Sequence, residues 1–132
     1  MSPPGTQRII PYLTYQDAPA AIDFLCKAFG FEERARYAMP DGRIGHAELT
    51  LQGGVLMLAS VYEGFGVSPL ALPAVHCLIY CYVDDLETHH ARARAAGATI
   101  VGEPSDDHGA RMYRAIDPEG HRWMFSAPAG GS

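Results

Sequence analysis

The sequence has no apolar stretch near the ~20 residues that span a bilayer, so no membrane partner is expected. It has no basic run. Lys and Arg number 10 against 15 Asp and Glu, a formal charge of −5, which argues against nucleic acid as a partner. The first residues, MSPPGT, lack the charged-then-apolar layout of a secretory signal, and a cytoplasmic location is expected. There are only three cysteines, an odd number that fits a disulfide framework poorly. Cys77 and Cys81, four residues apart on one strand, would sit ~13 Å apart and cannot bridge. All three, including Cys26 in a helical pattern, read as small buried hydrophobes. What is present is a globular composition, 48% hydrophobic and 19% charged over 132 residues. That suits one domain burying about two-thirds of its unfolded surface.

Along the chain, residues 1–7 read as a disordered leader and 128–132 as a tail, with fraying from Ala127. Between them the order strand, helix, three strands occurs twice. The first strand is 9–15. Asp17 caps a helix whose Ile22, Leu25, Cys26 and Phe29 form one apolar face, and Gly30 ends it. Strands follow at 31–39, 44–52 and 55–59, with turns at Pro40-Asp41-Gly42 and Gly53-Gly54. Residues 61–74, rich in Gly and Pro, read as a linker and potential lid. The second half runs as strand 75–83, a helix capped at Asp84-Asp85 and ended at Gly97, strand 98–102, polar loop 103–108, and strands 110–116 and 121–126. An offset of 67 carries Asp17 onto Asp84, Gly53 onto Gly120 and Met57 onto Met124. Repeated order at constant offset indicates duplicated βαβββ modules, 8–60 and 75–127, in one domain spanning 8–127. The fold class is α+β: a curved mixed sheet with a cleft, helices on its outer face.

Two segments carry a resemblance. YQDAPAAIDFLCKAFGF (15–31) resembles the strand end and first helix of the glyoxalase / bleomycin-resistance / extradiol-dioxygenase (vicinal-oxygen-chelate) superfamily. GARMYRAIDPEGHRWMF (109–125) resembles its closing hairpin. The pattern is nearer the antibiotic-resistance-like branch than true glyoxalase I. The resemblance implies a homodimer. It also implies four positions on which metal-dependent members carry His, Gln or Glu: Ile10, Met57, Leu78 and Met124 here. None can ligate a hard or borderline divalent ion. Cofactors are therefore expected to be none, and the expected function is metal-independent sequestration of an aromatic or heterocyclic small-molecule ligand.

Strand alternation gives the expected lining. Tyr12 and Thr14 share a face with Ile10. His46 and Glu48 share one in the third strand. His76, Leu78 and Tyr80 share one in the fifth, with Tyr82. Arg111 and Tyr113 are taken from the seventh strand and Met124 from the last. This makes an aromatic, methionine-lined trough suited to a planar ligand. Trp123 and Phe125 are assigned to the core, and His121 to a structural hydrogen bond. His89 and His90 are assigned to solvent, as is the Asp106-Asp107-His108 turn. The alternative function is a metal-dependent glyoxalase-like lyase or isomerase, or a ring-cleaving dioxygenase. It would use one divalent ion relocated to His46, Glu48 and His76. Without metal, Glu48 and His46 form a candidate catalytic acid–base pair. A partner domain without a small-molecule role is the third class.

Overall fold

In the computed structural model, residues 7–64 and 66–128 are described. Eight strands and two α-helices follow in order: β1 (Tyr12–Tyr15), α1 (Ala18–Phe29), β2 (Glu32–Ala38), β3 (Ile44–Leu51), β4 (Gly54–Ser60), β5 (Ile79–Tyr82), α2 (Leu86–Ala95), β6 (Thr99–Asp107), β7 (Ala110–Ile116) and β8 (Arg122–Pro128). The strands form two four-stranded sheets of identical topology, β1-β4-β3-β2 and β5-β8-β7-β6. In each, the first strand pairs parallel with the last and the rest are antiparallel. The duplication read from the sequence is thus the architecture, an α+β fold of tandem βαβββ modules. Each sheet is built within its own module, as expected.

Local chemistry sets the elements. The Asp17 carboxylate accepts from the Ala20 amide and opens α1. Gly30, at φ 81°, closes it in the left-handed conformation that a side chain resists. The α1 face of Ala18, Ala21, Ile22, Leu25, Ala28 and Phe29 is buried. Asp85 caps α2 through the Thr88 amide. That helix is poorer in apolar residues and buries Leu86, His89 and Ala93. Both helices and the inner faces of both sheets share one core. Phe29 lies 4.8 Å from Phe125 and 5.3 Å from Trp123, ring centre to ring centre, so Trp123 and Phe125 are core residues as expected.

Polar bonds lock the modules together. The turn between β7 and β8 docks on the start of α1. The Gln16 and Asp17 amides both donate to the buried Glu119 carboxylate, at 2.6 and 2.7 Å. The Ser68 hydroxyl also donates to Glu119, pinning the linker expected as a lid to the second module. His121 bonds the Thr14 carbonyl, the structural role expected of it. At the opposite end Arg92 of α2 donates to the Cys26 and Lys27 carbonyls at the end of α1.

Several boundaries differ from the sequence reading. The strands expected at 9–15 and 75–83 shorten to β1 and β5, because β4 and β8 offer partners only from Tyr12 and Ile79 onward. The loop expected at 103–108 is largely strand: β6 runs to Asp107, with irregularities between Ile100 and Ser105 that absorb Gly102 and Pro104. Of the expected leader, residues 1–6 lie outside the described residues. Gln7 is tied down, since its side-chain amide donates to the Val55 carbonyl and accepts from the Val55 amide. Ala127 and Pro128 belong to β8, and the rest of the expected tail lies outside the described residues. Cys26 and Cys81 are partly buried, but Cys77 is exposed because it falls before β5.

Candidate functional site

The face of the first sheet turned away from the helices, its outer face, is built by simple alternation. In β1, Leu13 and Tyr15 are buried and Tyr12 and Thr14 point out. In β3, Ala47 and Leu49 are buried between outward His46, Glu48 and Thr50. Register places Met57 of β4 between Tyr12 and Glu48, so the three form a row across the sheet. A continuous hydrogen-bonded chain runs over it. The Tyr12 hydroxyl lies 2.8 Å from His46 Nδ1. His46 Nε2 lies 3.0 Å from Glu48 Oε2. Arg34 Nε and Nη2 donate to Glu48 Oε1 at 3.1 and 2.7 Å. Arg34 reaches there because β2 bulges between Glu33 and Ala35. The Tyr37 ring stacks over His46 with centres 6.0 Å apart. The His46 hydrogen bond and Arg34 lower the Glu48 pKa. Burial, with smaller contributions from Tyr62 and Glu48, raises that of Tyr12.

The second sheet repeats the row. Tyr80, Met124 and Arg114 are register neighbours, so Tyr12 corresponds to Tyr80, Met57 to Met124 and Glu48 to Arg114. A Cβ on Gly102, the β6 neighbour of Arg114, would stand 2.9 Å from its Nε, so the guanidinium occupies the space left by the glycine. Tyr80 and Tyr82 meet edge to face at 5.5 Å, and Leu78 is exposed just before β5. Where the modules meet, a pocket of about 260 Å³ opens, lined by Phe31, Leu51, Val55, Leu56, Ile79 and Tyr80 among others. Tyr80 therefore belongs both to the pocket and to the outer row.

The expected site residues divide. Tyr12, Thr14, His46, Glu48 and Met57 share one outer face, and Tyr80 and Met124 share the other. Tyr113 does not belong with them. It is 1% exposed on the helix side, where its hydroxyl lies 2.6 Å from His89 Nδ1. Arg111 is also on the helix side, paired with Glu87 of α2 and with Asp106 rather than with a ligand face. The sequence reading had β7 one residue out of phase, and Arg114 takes the place given to Arg111. The correct phase was available. Cross-strand partners share a face, and the short 117–121 connection pairs Tyr113 with Phe125 and Ala115 with Trp123. Once Trp123 and Phe125 are core, so are their partners. Arg34 and Tyr37 carry no such signal, because β2 is exposed along all of its length but Ala35.

His76 lies in an exposed bend ahead of β5, not in a strand. Among the described residues no group of three His, Cys, Asp or Glu side chains is placed to hold a metal ion, so the proposed trio of His46, Glu48 and His76 is not assembled. Met57 and Met124 are matched outer residues, Leu78 immediately precedes β5, and Ile10 lies two residues before β1. Two thioethers and two aliphatic chains do not fit the divalent ion of the metal-dependent relatives. His89, expected in solvent, is buried. It bridges Tyr113 and the Phe29 carbonyl, filling a core position on a helix with few apolar residues. His90 is partly buried and pairs with Glu103.

A doubled βαβββ fold with a polar–aromatic outer row on each sheet defines a class, and the comparisons agree. The model of the Glyoxalase/Bleomycin resistance protein/Dioxygenase superfamily matches residues 8–125, and the chain belongs to that superfamily. It is similar to TioX from Micromonospora sp. ML1, 34% identical, with a TM-score of 0.75 over 93% of this chain and 99% of TioX. An uncharacterised protein of Mycobacterium bovis is 35% identical over 123 residues, 89% of this chain and 81% of the relative. TnmS3, an antibiotic binding protein from Streptomyces sp. CB03234, shares the fold at 20% identity and a TM-score of 0.70, over 95% of this chain and 98% of TnmS3. No helix among the described residues is long and apolar enough to cross a membrane.

Proposed function

We propose that this chain binds a small aromatic or heterocyclic molecule on its outer sheet faces, holding it without a metal ion and without transforming it. The observation that carries this reading is the apolar filling of Ile10, Met57, Leu78 and Met124, where metal-dependent relatives would place ligands. What replaces the metal centre is a surface of rings and thioethers. Tyr12, Tyr80 and Tyr82 are 40%, 46% and 75% exposed, and such surfaces suit planar ligands. The fold shared with TnmS3, described as antibiotic binding, supports the same reading. So much exposed aromatic surface on one chain also supports a homodimer in which a second copy helps enclose the ligand.

Calorimetric titration with a panel of planar aromatic compounds, before and after exhaustive dialysis against a chelator, tests the reading. Binding that survives chelation, with the compound recovered intact, is expected. A stoichiometric divalent ion in the isolated protein, whose removal abolishes binding, would overturn it.

A further inference from the structure

The hydrogen-bonded chain on the first sheet has a fixed direction. Glu48 receives both Arg34 donors on Oε1 and meets His46 Nε2 through Oε2. An ionised carboxylate only accepts, so Nε2 carries the imidazole hydrogen. A neutral imidazole with its hydrogen on Nε2 leaves Nδ1 as an acceptor. Nδ1 faces the Tyr12 hydroxyl at 2.8 Å, so Tyr12 donates its hydrogen inward. The Tyr37 ring stacked on His46 and the tilted Tyr12 ring, with centres 6.0 and 5.6 Å away, hold the imidazole plane in place.

From this we propose that Tyr12 is an acceptor-only contact on the binding face, selecting ligands that bring a hydroxyl or N–H donor over ether or carbonyl analogues of the same shape. With its hydrogen committed to Nδ1, Tyr12 presents only oxygen lone pairs to anything beyond the chain. A hydroxyl meeting it makes a bond. A carbonyl or ether oxygen meets a second acceptor and loses its bond to water without replacement. Arg34 thereby acts at a distance as a positioning residue, since it holds Glu48 as the acceptor that sets the whole direction. The inference rests on the small-molecule reading of this face, and it names the ligand chemistry.

Three probes of one shape test it: 2-naphthol, 2-methoxynaphthalene and 2-acetylnaphthalene. The wild-type chain should bind 2-naphthol about tenfold tighter than the other two, the size of one hydrogen bond. In Tyr12→Phe that preference should shrink to about twofold or less. Glu48→Gln supplies a side-chain amide that can donate to Nε2. His46 can then carry its hydrogen on Nδ1 and turn the Tyr12 hydroxyl outward, so 2-acetylnaphthalene should gain on 2-naphthol. A ligand-free readout is the nitrogen NMR signal of His46, which should show Nδ1 unprotonated and Nε2 protonated in the neutral imidazole. All three probes binding alike, or a naphthol preference that survives Tyr12→Phe, overturns the donor rule and leaves the small-molecule reading standing. A protonated Nδ1 in the neutral imidazole overturns the rule as well. Failure of every probe to bind overturns both.

Discussion

Tyr15 donates its hydroxyl to the Asp117 carboxylate at 2.5 Å, joining the end of the first strand to a turn 102 residues later in the sequence. Tyr15 is completely buried and Asp117 nearly so. Burial, followed by the negative charge of Asp117, raises the Tyr15 pKa well above its ordinary value, so it remains a donor throughout the physiological range. The same carboxylate receives the Trp123 indole and the Glu119 and His121 amides. Tyr15→Phe should cost about 1–3 kcal/mol, because it removes one partner from a buried charge. Urea denaturation monitored by circular dichroism would measure the loss.

Glu119 holds three donors from the first module and the linker. Glu119→Gln replaces two acceptor oxygens with one and introduces a donor facing the Asp17 or Gln16 amide. A destabilisation of about 2 kcal/mol is expected. Amide hydrogen exchange at Gln16, Asp17 and Leu70 should accelerate more than exchange at the centre of α2. Uniform acceleration across the chain would instead indicate global loosening.

Acid should weaken the fold through His89. Burial, the largest cause, lowers its pKa below the usual 6.5. The unfolded chain therefore takes up a proton as pH falls through about 6.5, where the folded chain does not. The stabilisation is present above that pH and is lost as pH drops below it. The urea midpoint should decline on acidification through this window, and His89→Gln should reduce the slope.

Arg92 acts as a cap from another module. Its guanidinium bonds the Cys26 and Lys27 carbonyls, which lie in the last turn of α1. Arg92→Met keeps much of the stem and removes the donors, and should cost about 1 kcal/mol. The thermal midpoint would fall while far-ultraviolet circular dichroism at low temperature stays unchanged.

The fold was legible because its signals are local and repeat. Asp17 with Gly30, and Asp84-Asp85 with Gly97, bracket the helices, and the constant offset exposes the duplication, although the α2 cap is Asp85, one residue past that offset. The first sheet's outer face was legible too, since 46–50 alternates polar and apolar residues cleanly. The segment 110–116 does not alternate in that way. Arginines lie at 111 and 114, so either phase has a charged residue, and only pairing with β8 decides. His89 was misread because a histidine on a polar-looking helix carries no sequence mark of the Phe29 carbonyl awaiting it from the other module. Direction in the Tyr12–His46–Glu48 chain was likewise invisible, because it depends on Arg34 reaching across from a bulge.

The matched outer rows differ at one place that changes the character of the whole: Glu48 in the first sheet is answered by Arg114 in the second. Duplication supplied two equal halves, and a swap of charge sign made them unequal. If these faces bind a small molecule as proposed, the two rows would offer it different partners: a carboxylate already tied to Arg34 and His46 on one sheet, and the Arg114 guanidinium beside Gly102 on the other.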